Sequence, residues 1–225
     1  MSSHMITATG AQYHLHGAAA MTEAGRPIRI EDIAHQLSII NRWHGATKRP
    51  YSVAEHSLLC SEIARRAGAS LLVQLAALLH DAHEIYTNDL SSPAKSAVNF
   101  CSIAAGGTRA WDIFENDQAK EVRSHFGLLT VFTSRRALLR EIDLVALATE
   151  RRDLSAWRAD RHPRWEVLNE IEPDAELHIK PLEWMRLDTP ERAAMTWSDW
   201  RQQFIDRFDE ISFARELLIS GGTTQ

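Results

Sequence analysis

Cysteine is scarce in this chain. The 225 residues hold two, Cys60 and Cys101, with no spacing for a zinc knuckle or a disulfide framework. Cys60 falls inside an apolar helical pattern and reads as a small core residue. That usage points to a reducing compartment, so a cytoplasmic protein is expected. Long apolar runs are also missing: no stretch approaches the length of a membrane span, and no membrane partner is expected. Met1–Met5 lacks the charged-then-apolar layout of a secretory signal. Nor is there an excess of positive charge, with 25 Lys and Arg against 30 Asp and Glu and a net charge of −5. The short clusters Arg65-Arg66, Arg135-Arg136 and Arg151-Arg152 read as solvated helix faces rather than a duplex-binding stripe. No stable nucleic-acid partner is expected.

What is present suits one globular unit with a sizeable core, being 44% hydrophobic and 24% charged. Residues 1–30, with Gly10, Gly17, Gly25 and Pro27, read as an irregular or hairpin N-terminal arm. Ile30, Ile33, Ala34, Leu37 and Ile40 form an apolar stripe that predicts a helix over 31–43. Ser52 and Glu55 make a capping box for a helix running to about Ala67 and ending at Gly68. Ser70 opens the next helix, which is expected to carry His80-Asp81 and to continue to about Tyr86. Asp89–Lys95 reads as a turn or short helix, and Asn99–Gly107 as a flexible loop. Further helices are predicted over 109–126, 134–153 and 196–218. Residues 157–190, punctuated by Pro163, Pro173, Pro181 and Pro190, read as irregular. The class is all-α. An N-terminal arm (1–30) precedes a helical core (31–156), and a segment over 157–225 closes with a helix packed on that core.

One feature resists a purely structural account. The apolar run Leu71–Leu79 ends on His80-Asp81, and burying a histidine and a carboxylate needs compensation for their lost hydration. A divalent cation supplies it. His56, following the capping box, and Asp143, in Glu141–Leu147, complete a set of two imidazoles and two carboxylates suited to a hydrolytic metal site. The spacing is diffuse. Taken singly, His56 also reads as structural, and Asp143 as a surface carboxylate paired with Arg140 or Arg136. Glu84 lies four residues after His80 and three after Asp81, where a general acid or base beside the metal would sit. Asp89, past that helix end, either serves the site or caps its own turn.

In this order, His56, His80-Asp81 and Asp143 match the H…HD…D signature of HD-domain metal-dependent phosphohydrolases. Ile40–Trp43, Val53–Leu58 and His80–Lys95 resemble the branch of bacterial 5′-deoxynucleotidases, and are similar also to phage dATP triphosphohydrolases. The resemblance covers about 31–153. It implies an HD-type helical bundle and a divalent ion (Co, Mn, Zn, Mg, Ni or Fe) on His56, His80, Asp81 and Asp143. It further implies proton transfer by Glu84, a place for Asp89 near phosphate or metal, and substrate contact by Arg42 and Trp43. An arginine fork suits phosphate oxygens and an indole face suits a base or sugar, while Lys95 is a further phosphate candidate. The implied substrate is a deoxynucleotide, first a 5′-monophosphate giving deoxynucleoside and phosphate. A dNTP losing tripolyphosphate is the alternative, and a non-catalytic nucleotide-binding HD module the remaining one. The resemblance also implies a homodimer paired through an exposed helix, or a higher homo-oligomer. Where that family turn carries glycine, this chain has Asn88, which tolerates left-handed geometry well enough to keep the turn.

Overall fold

The computed structural model describes residues 4–170 and 176–221, so Pro173 lies outside the described residues. A two-stranded antiparallel hairpin, β1 (His4–Ile6) and β2 (Gln12–His14), opens the chain with Met5 opposite Tyr13. Helices follow: α1 (Ile30–Ile39), α2 (Val53–Arg66), α3 (Leu71–Leu78), α4 (Glu84–Thr87) and α5 (Ser92–Ala104). Then come α6 (Ala110–His125), α7 (Leu129–Ser134), α8 (Arg136–Leu154), α9 (Pro190–Ala194) and α10 (Trp197–Gly221). The chain is all-α apart from the small hairpin. Among the described residues, no helix is long and apolar enough to cross a membrane.

The centre of the bundle is α2, which packs against α1, α3, α8 and α10. Its apolar side (Val53, Ala54, Leu59, Cys60, Ile63, Ala64) meets Val73, Leu75, Ala76 and Leu78 of α3 in one buried cluster. The capping box at its start is half formed. Ser52 Oγ accepts from the Glu55 backbone N–H at 3.2 Å, but the Glu55 carboxylate takes Arg49 and Arg192 instead of reaching back. The closing helix α10 lies across α1, α2 and α3 and buries Trp200, Phe204 and Ile211.

Three expectations are corrected. The first helix stops at Ile39, because Asn41 turns into a bridge with Ser52. Arg42 N–H donates to Tyr51 O at 2.8 Å and Val53 N–H to Ile40 O at 3.0 Å, so these backbone groups serve the bridge rather than a helix. The apolar stripe of α1 carried no record of that long-range pairing. Second, α3 ends at Leu78, so His80-Asp81 sits in a tight turn instead of mid-helix. Neighbours on a helix diverge by about 100°. Here the turn, with Ala82 N–H donating to Leu79 O at 3.2 Å and Glu84 N–H to Asp81 O at 2.9 Å, lets both side chains serve one place. Third, most of 99–107 is helical, within α5. Pro93 lies in its first turn, where a missing N–H costs nothing. Asn99, which looked like a loop residue, is buried and donates to Asp112 at 2.6 Å while accepting from the Trp111 N–H at 3.0 Å.

Candidate metal centre

Three helices deliver donors to one point: α2 brings His56, the turn after α3 brings His80 and Asp81, and α8 brings Asp143. The two imidazoles are oriented from behind. His80 Nδ1 lies 2.8 Å from the Ala77 carbonyl, which only accepts, so Nδ1 donates and Nε2 is turned into the site. His56 Nδ1 lies 2.5 Å from Glu150 Oε1. Glu150 is fully buried, yet Arg42, His56 and the Trp43 N–H outweigh that burial and push its pKa down to about 2. It is therefore an anion that accepts from Nδ1, which turns His56 Nε2 towards the same point.

These two Nε2 atoms face each other at 3.1 Å. Two lone pairs at that separation repel unless positive charge sits between them. Carboxylates surround the same point: Asp143 Oδ1 is 3.3 Å from His56 Nε2, and Asp81 Oδ2 is 3.1 Å from His80 Nε2. The electrostatics agree. Burial and Arg42 oppose charge on His56, but Cys60, Glu150 and Asp143 outweigh them and hold its pKa well above the ordinary value, favouring an Nε2 proton that a metal would replace. Burial likewise opposes the Asp81 charge, and His80, His56 and Arg42 overcome it, holding that carboxyl far below the usual range. The cluster demands a cation, and the donor chemistry fits a divalent metal with oriented imidazole ligands.

Arg42 and Trp43 stand on a strained backbone. Trp43 and His44 have φ of 59° and 51°, a left-handed pair costing about 1–3 kcal/mol each. That geometry turns Trp43 Nε1 to Glu150 Oε2 at 2.9 Å. It also sets Arg42 Nη1 against Asp81 Oδ2 at 3.2 Å and Nε against Glu150 Oε2 at 3.4 Å. Glu84 is 3% exposed, and its Oε2 has no hydrogen-bond partner. Burial first, then the Asp81 and Asp89 carboxylates, raise its pKa well above the usual carboxylate range. Asp89 is raised chiefly by burial. Lys95 is spent on Glu115, with Nζ–Oε1 at 2.5 Å.

A cleft of about 710 Å³ opens beside the centre, with His80, Asp81 and Asp143 in its wall. Lys120, Arg123, Arg136 and Arg140 line it, and among the described residues none of the four meets an acidic partner. Arg123 Nε is buried without a partner, and burial lowers that guanidinium's pKa.

The HD-domain family model matches residues 53–199, a range that takes in all four proposed donors. The chain belongs to the HD-domain family of metal-dependent phosphohydrolases. Escherichia coli (strain K12) YfdR is 31% identical over 189 residues, which is 84% of this chain and 87% of that protein. A protein of Rhodobacter capsulatus is 51% identical over 75 residues, 32% of this chain and 38% of that relative's length. Neither name carries an activity.

Within this HD centre, the structure adds residues that sequence reasoning passed over. Glu150 lies seven residues after Asp143, two turns along the same face of α8, and that spacing was the available signal. It accepts from Tyr51, His56, Trp43 and Arg42, so one buried carboxylate organises the back of the site. Cys60, four residues after His56 on α2, is buried with Sγ 3.5 Å from His56 Nε2. Trp165 packs its ring 5.6 Å from that of Trp43, bringing in a segment outside the motif-bearing stretch.

Proposed function

We propose that this protein hydrolyses the phosphate ester of a deoxynucleoside 5′-phosphate, using a divalent ion held by His56, His80, Asp81 and Asp143. The reading rests on one observation above the others: two imidazole Nε2 atoms and two carboxylates converge at the end of a cleft that also carries Lys120, Arg123, Arg136 and Arg140. A divalent ion held by these four residues would supply Lewis acidity to a phosphoryl oxygen and would lower the pKa of water from about 15.7 towards 7.

The chain's own residues do the rest. His56 and His80 are locked as Nε2 donors by Glu150 and Ala77, so neither ring must reorient on loading. Glu84, whose desolvated pocket favours its protonated form, gives that proton to the leaving oxygen and regains one from the attacking water. Arg42, braced between Asp81 and Glu150, presents its guanidinium to phosphate. The Trp43 indole, fixed by Glu150, faces the sugar and by its bulk disfavours a ribose 2′-hydroxyl. Asp89 lies close enough to feel Arg42, Asp81 and His56, and serves the phosphate end. Lys95 is neutralised by Glu115 and contributes mainly by shaping the cleft. Exposed Phe100 and Ile103 on α5 and Ile113 on α6 support pairing of two copies.

A second reading has a specific observation behind it. Lys120, Arg123, Arg136 and Arg140 offer more positive charge than a monophosphate needs, which favours a dNTP with its longer phosphate tail. Purified protein given dNMPs and dNTPs with Mn²⁺, Co²⁺ or Mg²⁺, with products separated by chromatography, decides between them. Deoxynucleoside and phosphate from dNMPs support the first reading, and tripolyphosphate from dNTPs the second. Binding without turnover of any nucleotide would overturn both.

A further inference from the structure

Resting on the metal centre proposed above, the distances around His56 point to one more donor. Cys60 Sγ, His56 Nε2, His80 Nε2 and Asp143 form a set whose donor atoms all lie within 4.8 Å of one another. For a tetrahedral ion with metal–nitrogen bonds of about 2.0–2.1 Å and metal–sulfur of about 2.3 Å, the nitrogen–sulfur edge is roughly 3.5 Å. Cys60 Sγ stands 3.5 Å from His56 Nε2. The corresponding nitrogen–nitrogen and nitrogen–oxygen edges are each about 3.3 Å, against 3.1 Å between the two imidazoles, 3.3 Å from His56 to Asp143 and 3.9 Å from His80 to Asp143. Asp81 Oδ2, 3.1 Å from His80 Nε2, would expand that shell to five donors. His56 is fully buried, and its Nε2 is aimed into this set.

We propose that Cys60 supplies a thiolate to the ion, giving this HD centre a soft ligand and biasing it towards zinc or cobalt over magnesium or manganese. Ligation breaks the S–H bond and forms a sulfur–metal bond, the proton leaves to solvent, and no electron is transferred. Thiolate selects borderline-soft cations, whereas carboxylate and water suit magnesium and manganese. In the competing arrangement the thiol only donates a weak hydrogen bond to His56 Nε2.

Absorption spectroscopy separates the two. Metal-free wild-type protein is titrated with Co²⁺ while the visible d–d bands and the near-ultraviolet sulfur-to-cobalt charge-transfer band are followed. Both are expected in wild type and in Cys101→Ser. Cys60→Val should keep the d–d bands, lose the charge-transfer band and bind cobalt at least about tenfold more weakly, given that even outer partners of a ligand are worth 10–100-fold. Bands in the visible without charge transfer in wild type would overturn the thiolate and leave the metal centre standing. Charge transfer surviving in Cys60→Val would overturn it too. No cobalt absorption at all would overturn the metal centre and this ligand together. The wild-type spectrum does not depend on whether a variant folds.

Discussion

Replacing Glu150 by glutamine keeps the side chain's shape and removes its charge. The wild-type carboxylate accepts from Tyr51 and His56 through Oε1, and from Trp43 and Arg42 through Oε2. A glutamine amide can accept at one end only, so its NH₂ group meets two donors. Folding lowers the Glu150 pKa from 4.5 to about 2. A shift of that size, at about 1.36 kcal/mol per unit, corresponds to roughly 3 kcal/mol. The folded pKa lies below the unfolded one, so this stability is present above about pH 4.5 and is lost as pH falls towards 2. Metal-free Glu150→Gln should therefore be less stable by about 3 kcal/mol at pH 7. With a urea slope near 3 kcal/mol/M, the midpoint drops by about 1 M. The gap to wild type should close below pH 4.5. Because Glu150 also fixes the His56 tautomer, zinc or cobalt affinity should fall by about 10–100-fold. Urea unfolding followed by circular dichroism, with competitive metal titration, tests both. Coincident urea midpoints at pH 7 with unchanged metal affinity would refute the role given to this carboxylate.

Glu84→Gln should keep its metal and lose about 10²–10⁴-fold in turnover, measured at metal saturation. Its folded pKa is raised, so the stability linked to that proton is full below the unfolded value and is lost as pH rises through the folded one. Glu84→Gln should accordingly gain on wild type in thermal stability as pH increases. Arg136→Ala with Arg140→Ala, both exposed, should leave stability within about 0.5 kcal/mol. If a triphosphate tail occupies the cleft, KM for dNTPs should rise about tenfold or more while KM for dNMPs barely moves, in steady-state kinetics. Asn88 has φ 66° and ψ 159°, a region nearly reserved for glycine. Asn88→Gly should stabilise the protein by about 1 kcal/mol and raise Tm by about 2–4 °C in a calorimetric scan.

Much of the helical frame was legible because apolar periodicity and caps are local. Ser52 and Gly68 bracket α2, and α10 follows its amphipathic pattern. What failed depended on distant partners. The end of α1 is decided by Tyr51 and Ser52, and the helicity at 99–107 by α6, whose start anchors Asn99. The Asn88 turn forms with positive φ as the residue type allowed, but its ψ falls outside the usual left-handed basin, which no residue preference foretells.

From the amino acids alone came the pairing of His80 with Asp81 at the end of an apolar run, an arrangement that chemistry tolerates only with compensation. His56 and Asp143 were candidates by residue type, since spacing across separate helices says nothing about convergence. Packing of α2 against α3 and α8 brought them together, and the break after Leu78 let two adjacent side chains face one point. Only the folded chain could reveal that Glu150 locks an imidazole, that Cys60 stands beside it, and that four cations share one cleft. Each is a relation between residues on different turns or helices, set by three-dimensional distance and shared burial rather than by order along the chain.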